Sequence, residues 1–410
     1  MMGPVYVGTD PVPALGSQLA VLCADACGIV GDPPGRVDQA GPPLAISALA
    51  LLEREDVRRR LAASASQLVV WKPSMRIAEC ARQVGVPLAN AGAAIARRLE
   101  NKVHFTRTAP GAWLPIPPAV TGVAAPALTE QALRLRGPWV VQLASGYSGR
   151  HTRRADTEQD LTALLATYAG RSCRVSSWIR GDPVTVTGVV GDGAVALGVP
   201  CRQLTGLAEC TPYPLGSCGN DFGAPIRGEA AVLSVAARAA AWLQREGHRG
   251  IFGADLVVAA DDTVFCIEVN PRLVASVPLW NLSARDRGEP SLLARHLGVF
   301  VGAGDPALPS RLECHWSQLI LHNLGTQTVR PGLASGTGRL SAAGGWERAA
   351  PLAIDGPRPG EVGLIVRGRA RPGHELARVV LEGPCLDPAG ALLPHAAQLV
   401  RDLRDQLGAS

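Results

Sequence analysis

The chain has 410 residues, 47% of them hydrophobic, which is enough to fill the cores of two or three domains. Its net charge of +5 arises from 40 basic and 35 acidic residues spread along the whole length, and only 4% of residues are aromatic. A nucleic-acid groove needs clustered positive charge and stacking rings, so no nucleic-acid partner is expected. The apolar stretch at residues 19–30 is interrupted by Asp25 and has no positive segment before it. Neither a signal peptide nor a membrane partner is therefore expected, and a cytoplasmic location is.

The ten cysteines form no Cys-x-x-Cys pair. Neither Cys23 with Cys27 nor Cys210 with Cys218 has a histidine pair at zinc-site spacing, so reduced, mostly buried thiols are expected. Of the 40 basic residues only Lys72 and Lys102 are lysine. In a chain that otherwise uses arginine, a lysine marks a position where a compact point charge is wanted.

In chain order, residues 67–71 have the pattern of a buried strand and residues 77–84 and 91–100 that of helices, the rhythm of an α/β unit with a parallel sheet. The proline-rich stretch at 110–126 predicts a linker or an extended crossing segment. A helix follows, then a strand at 139–143. A glycine-rich turn comes next, then a helix starting at Thr157 with Asp160 placed for a capping box, and a strand at 174–179 expected to pair with one at 184–190. These make a small α+β subdomain over about residues 127–200. Residues 204–222 lack periodicity and predict a long loop that could serve as a lid. The alanine-rich segment 229–244 predicts an amphipathic helix. Beyond about residue 300, strands and turns end in a helix at 394–407 and suggest a compact antiparallel cap. Three domains are thus expected, at 1–100, 101–300 and 301–410.

The segments 252–258 and 264–269 predict a hairpin. A two-residue loop of Asp261 and Asp262, closed by Ala260 and Thr263, places Asp255 opposite Glu268 with Cβ atoms about 5 Å apart. Asn270 falls on the same face, because strand side chains alternate with period two. The other face, with Phe252, Ala254, Leu256, Val258, Phe265, Ile267 and Val269, is apolar and belongs in a core. Like charges across a ladder repel unless a cation lies between them or water covers them. Two carboxylates and an amide oxygen, with room for phosphate and water, suit Mg²⁺, and a solvated hairpin face is the alternative. Pro271 ends the strand and delivers Arg272, whose fork of donors suits a phosphate or a developing oxyanion; a structural pair with Glu268 is the alternative.

The run Gly253-Ala254-Asp255 to Glu268-Val269-Asn270-Pro271-Arg272 resembles the metal-binding signature of the ATP-grasp superfamily. The resemblance implies an ATP-grasp fold preceded by a Rossmann-like domain, an α/β and α+β multidomain class. It implies ATP and Mg²⁺ as cofactors, with the metal on Asp255, Glu268 and Asn270 and catalytic work for Arg272. Asn101-Lys102 is similar to the family's first ATP-contacting lysine. Residues Ser145, Gly146, Tyr147, Ser148, Gly149, Arg150, His151 and Thr152 resemble the flexible loop over the phosphates. Glycine-freed N–H groups and hydroxyls suit oxyanions there. The Gly-Lys-Ser/Thr phosphate loop of the other large nucleotide-binding class is absent. Two departures stand out: Gln142 where many members carry a second lysine, and Ser176 and Ser177 where acids face the adenine. Trp178 and Ile179 are expected at the adenine through backbone groups, and Asp182 at the ribose.

The resemblance further implies an ADP-forming ligase that activates a carboxylate as an acyl phosphate and couples it to an amine, in the manner of amino-acid or peptide ligases. Biotin-type carboxylases place an acidic base four residues after the matching arginine, where this chain has Ser276, so a bicarbonate-activating branch is less expected. Arg150, Arg202 and Ser276 are candidate substrate residues. His315 and His322, seven apart and able to share a helical face, are candidate bases, with solvated or core histidines as the plainer reading. The expected partners are a small carboxylate and an amine, and a homodimer is compatible with them. Thioester loading of a carrier protein, and a non-catalytic ATP sensor, are the alternative classes.

Overall fold

The computed structural model of the chain describes residues 3–31, 36–39, 47–146, 149, 151–301, 309, 311–340 and 346–408. Among these, the strands fall into three sheets, each made from one contiguous stretch of chain. In the first, β1 (Gly3–Gly8), β2 (Ala20–Cys23), β3 (Val37–Gln39) and β4 (Ala65–Val70) are parallel, in the order β3-β2-β1-β4. Leu68, Val69 and Val70 are all fully buried, as a parallel strand covered on both faces requires. One face packs on the helices Ala48–Leu52, Glu55–Ser64 and Met75–Val84 through Leu51, Leu52, Val57, Leu61, Ile77 and Ala81. Ser74 caps the last of these by accepting from the Ile77 N–H, and Gly85 at φ +77° ends it. The chain leaves β4 at Trp71 and Lys72, on the carboxyl edge of the sheet, where ligands of parallel α/β sheets gather.

The second sheet holds β5 (Ala119–Val123), β6 (Trp139–Leu143), β7 (Thr152–Ala155) and β8 (Ser172–Ser177), antiparallel in the order β5-β8-β6-β7. Trp139, Val141, Cys173 and Val175 face the helices Pro126–Leu133 and Glu158–Thr167. Alternation then turns Val140, Gln142, Arg174 and Ser176 to the opposite face. The expected capping box is present: the Thr157 side chain accepts from the Asp160 N–H, and the Asp160 carboxylate accepts from the Thr157 N–H. The expected pairing of residues 174–179 with 184–190 does not occur. β8 pairs with β5 and β6, and residues 178–180 carry the chain straight into the third sheet, with no turn that could fold one strand back on the other.

That third sheet comprises β9 (Gly181–Val190), β10 (Val195–Gly198), β11 (Cys201–Thr205), β12 (Ser217–Asp221), β13 (Gly250–Ala259), β14 (Val264–Asn270), β15 (Arg311–Leu312), β16 (Trp316–His322), β17 (Gly336–Leu340), β18 (Trp346–Ala350), β19 (Val362–Val366) and β20 (Glu375–Glu382). Its main path runs β14-β13-β9-β11-β12-β16-β20-β19-β17-β18. Two expectations change here. Residues 204–222 are not one long loop, because both ends are strands of the sheet, β11 and β12. Their apolar period is missing because one face is polar and because Gly219, at φ +155°, lies so close to the Gln318 carbonyl that a Cβ would sit 2.2 Å from it. The region beyond residue 300 is also no separate sheet, since β16 pairs with β12 and continues the same ladder.

The helix Glu229–Arg245 covers one face of this sheet. Its buried Val232, Val235, Ala236, Ala239, Ala240 and Leu243 repeat at the three- and four-residue spacing of a helical stripe. They pack on Val184, Val186, Phe252, Ala254, Leu256 and Val258. Each large side chain so buried contributes roughly 1.5–3 kcal/mol. Covering that face leaves Pro183, Thr185, Asp255 and Glu268 on the other. The carboxyl-terminal helix Pro394–Gln406 packs likewise on β19 and β20 through Leu399, Val400 and Leu403.

Candidate active site

Where the three sheets meet, they enclose a cavity of about 640 Å³. Asp255 and Glu268 stand directly opposite each other in its wall. The hairpin reaches that register by two compensating irregularities. Its loop holds three residues, 260–262, with the Ala259 N–H donating to the Thr263 carbonyl and Asp262 at φ +62°. A bulge at Ile267 then restores the offset, so that Leu256 pairs with Cys266 but Asp255 with Glu268. The bulge also corrects the expected core face: Val264 and Cys266 join the core, whereas Phe265 is half-buried outside it and Ile267 lines the cavity.

The acids are held by side chains from neighbouring strands. Thr185 Oγ1 donates to Asp255 Oδ1 at 2.9 Å and Gln203 Nε2 to the same oxygen at 3.1 Å. Lys102 Nζ lies 2.8 Å from Glu268 Oε2. Asn270 turns its amide nitrogen to the acids, 3.0 Å from Asp255 Oδ2 and 3.4 Å from Glu268 Oε1, and its oxygen accepts from Arg272 Nη2 at 3.1 Å. The expected amide-oxygen ligand is thus turned away, and to ligate a cation the amide must rotate. Arg272 is not paired with Glu268. Its Nε donates to Glu100 Oε1 at 2.5 Å, and its guanidinium lies 5.7 Å from the centre of the Trp71 ring. Glu100 also receives Lys72, so both lysines of the chain are ion-paired at this site.

Burial and the facing Glu268 push the Asp255 carboxyl well up from the ordinary range, against the pull of Thr185, Arg272 and Lys102. Glu268 moves the opposite way: burial opposes ionisation, but the Lys102 ammonium, Arg174 and the Asn270 amide outweigh it and keep the group charged. A pair of acids this close holds one negative charge until a cation shares them. Among the described residues no three His, Cys, Asp or Glu cluster as metal ligands. The protein therefore offers two carboxylates and one amide, a sparse oxygen set that suits Mg²⁺ when phosphate and water complete the shell.

The other expected site residues divide. Gln142, Gly146, Gly149, Thr152, Trp178, Ile179 and Ser276 line the cavity, and Lys102 lines a pocket of about 30 Å³ that adjoins it beside Gln142, Thr152 and Glu268. Asn101 accepts from the Val103 and His104 N–H groups, capping the helix Lys102–Thr108, and the Lys102 N–H donates to Ala144 at the foot of the glycine-rich loop. Ser145 is exposed and lines neither pocket. Ser148 and Arg150 lie outside the described residues. Asp182 and Arg202 have the strand parity of Val184 and Leu204, so they point away from the cavity and pair with each other at 3.2 Å. The Trp178 N–H is taken by the Pro138 carbonyl at 2.7 Å and is not offered to a ligand. Ser276 Oγ is 2.9 Å from Thr187 Oγ1.

His315 and His322 do not share a helix. They flank and end β16, and only His322 lines the cavity, with Nδ1 3.1 Å from the Cys210 carbonyl oxygen. Beside it Glu375 accepts from Arg367 Nη2 at 2.7 Å and Arg378 Nη2 at 3.0 Å. Burial opposes its ionisation, but these two guanidiniums hold it at about 2. Thr185, Gln203, Glu100, Arg174, Glu375 and Arg378 were not foreseen. The alternation of Val184, Thr185, Val186 and Thr187 was the one local signal, marking a polar face on β9. Ser177 Oγ is buried in the cavity wall without a hydrogen-bond partner among the described residues, an atom that a bound ligand can satisfy.

No curated protein matches the sequence. Among solved structures the fold is similar to N5-carboxyaminoimidazole synthase from Aspergillus clavatus in complex with ADP and 5-aminoimidazole ribonucleotide, at TM-score 0.64 and 14% identity over 98% of this chain and 99% of that one. It is similar also to biotin carboxylase from Campylobacter jejuni with an ATP analogue, at TM-score 0.64 and 13% identity over 93% and 87% of the two chains. A third is the biotin carboxylase domain of the Hydrogenobacter thermophilus 2-oxoglutarate carboxylase with MgADP and bicarbonate, at TM-score 0.61 and 11% identity over 93% and 86%. Residues 99–276, which carry the hairpin, the glycine-rich loop and Lys102, match the family model described as the ATP-grasp domain, so this stretch of the chain is an ATP-grasp domain.

Proposed function

We propose that the protein is an ADP-forming ligase that binds Mg·ATP in the cavity, transfers the terminal phosphate to a carboxylate and lets an amine displace it. The observation that carries this reading is the facing pair Asp255 and Glu268 in a cavity wall, with Lys102 and Arg272 beside them. Mg²⁺ bound there supplies charge neutralisation to the phosphates. Asp255 and Glu268 hold it, and Asn270 joins them once its amide turns. Lys102, released from Glu268, is placed to bind phosphate oxygens under the loop from Gly146 to Thr152. Trp178, Ile179 and Ser177 border the adenine end. Arg272, anchored by Glu100 and Trp71, aims its remaining donors at the acyl phosphate, and alignment with charge stabilisation lowers the barrier.

The substrate end lies between Ser276 and the Glu375–Arg378 pair. A second reading, with bicarbonate as the activated carboxylate, is favoured by the likeness in fold to the carboxyaminoimidazole synthase over the full chain and to the carboxylase domain that holds bicarbonate. Ser276, with no acidic function, speaks for the first. Purified protein with ATP and Mg²⁺ is offered pools of amino acids and amines, with and without bicarbonate, and ADP release and product mass are read. ADP that depends on a carboxylate and amine pair supports the ligase, ADP that depends on bicarbonate supports the second reading, and a protein that binds no Mg·nucleotide sinks both.

A further inference from the structure

Gln142 stands where many members of the superfamily carry a second lysine, yet the fold brings a positive charge to that place. Arg174 lies directly across the ladder from Gln142 and is only 2% exposed. Its Nε donates to Gln142 Oε1 at 3.0 Å, and Nη2 donates to the same oxygen. Its Nη1 donates at 2.8 Å to the carbonyl of Ile267, the bulged residue of β14. Burial pulls the guanidinium down to about 10, so it remains charged at neutral pH.

A guanidinium only donates, so the amide oxygen of Gln142 must be the atom that faces it. The amide nitrogen is thereby turned the other way, to Thr152 Oγ1 at 3.3 Å and to the pocket shared with Lys102 and Glu268. Two donors on Oε1 draw electron density from the amide and strengthen its N–H groups as donors. Among the described residues none of the hydrogen bonds of Arg174 goes to a carboxylate, and Glu268 acts on it only through space. An apolar residue would be the cheaper occupant of such a position, so the buried charge asks for a role.

Resting on the nucleotide reading above, we propose that Arg174 is the positioning residue of the phosphate site: it locks Gln142 as a donor toward the phosphate chain and supplies, one strand away, the charge that a lysine on β6 would bring. The pairing also joins the second sheet to the metal hairpin, so the phosphates and the proposed ion are addressed through one guanidinium.

Calorimetry on the full chain, with Mg·ATP and with adenosine, separates charge from shape. Gln142→Glu keeps size and forms an ion pair with Arg174, but it cancels the charge and removes the N–H donors. Its Mg·ATP dissociation constant is expected to rise on the order of tenfold or more, with adenosine affinity within about twofold of wild type. Arg174→Met is expected to do the same, and the double variant Gln142→Lys with Arg174→Met to return Mg·ATP affinity to near the wild-type value. Thermal melts check that each variant is folded; should Arg174→Met not fold, Gln142→Glu alone decides. Wild-type affinity in Gln142→Glu, or equal losses for ATP and adenosine, or a folded double variant no better than Arg174→Met, overturns the proposal. Wild-type protein that ignores Mg·ATP overturns the nucleotide reading before any variant is compared.

Discussion

Asp255 and Glu268 face each other across one ladder and yet titrate apart, because Lys102 pairs directly with Glu268 and reaches Asp255 only through space. A carboxylate must lose its proton to bind an ion. Glu268 has already done so across the working range, and Asp255, with its raised pKa, has not. Mg·ATP affinity is therefore expected to rise with pH through the Asp255 titration and then level off, the sign following from competition between proton and ion. Titration calorimetry from pH 6 to 8.5 checks this, and in Asp255→Asn the rise should vanish together with most of the affinity. Arg272 carries a separate expectation. Its removal in Arg272→Ala takes away a donor held in place by Glu100 and Trp71, and kcat should fall by about 10²–10³ while the dissociation constant of ATP moves little. A variant that loses ATP binding and keeps kcat would assign the residue to the nucleotide instead.

Elements carry the next set of consequences. The hairpin shows how register survives a wrong local guess: the three-residue loop and the bulge at Ile267 each shift the pairing by one, and their sum leaves the acids opposed. Between the first and third sheets, His296 accepts from the Ile251 N–H at 3.0 Å through Nδ1, while Nε2 lies 2.7 Å from the Ala89 carbonyl. That geometry requires a neutral ring with the proton on Nε2. Burial lowers both His248 and His296 from 6.5 to about 4, with His296 adding to the shift of His248. As pH falls, the unfolded chain takes up these protons first, so stability is present above about pH 6.5 and is lost progressively toward about pH 4. Each ring accounts for about 3 kcal/mol of that loss. Urea unfolding at pH 7.5 and 4.5 measures it, and His296→Gln should show the smaller difference between the two conditions.

At the scale of the molecule, the third sheet is continuous from the hairpin to the carboxyl-terminal strands, and Asp221 is its fully buried junction. Its Oδ1 accepts from the Gly223 and Ala224 N–H groups and Ser317 Oγ, and its Oδ2 from the Cys385 and Leu386 N–H groups. Asp221→Ala leaves these donors buried without an acceptor and should cost at least about 3 kcal/mol in chemical denaturation. An unchanged midpoint would show that the junction does not hold the carboxyl-terminal strands. The chain of contacts Lys72, Glu100, Arg272 and Asn270 joins the edge of the first sheet to the hairpin in the same way.

What the amino-acid sequence determined by itself is what a few neighbouring residues decide. Alternation in 252–258 and 268–270 set which hairpin side chains share a face, the Thr157 and Asp160 pair set a helix start, and the small and apolar spacing of 229–245 set a buried stripe. Tertiary structure alone decided which strands became neighbours. It turned Asp182 and Arg202 to the far side, drew residues 204–222 and the region beyond 300 into one sheet, and set Arg174 under Gln142 and Glu100 under Arg272. Period two fixes a face within a strand, but the partner across the ladder lies tens to more than a hundred residues away, and no local pattern encodes that choice.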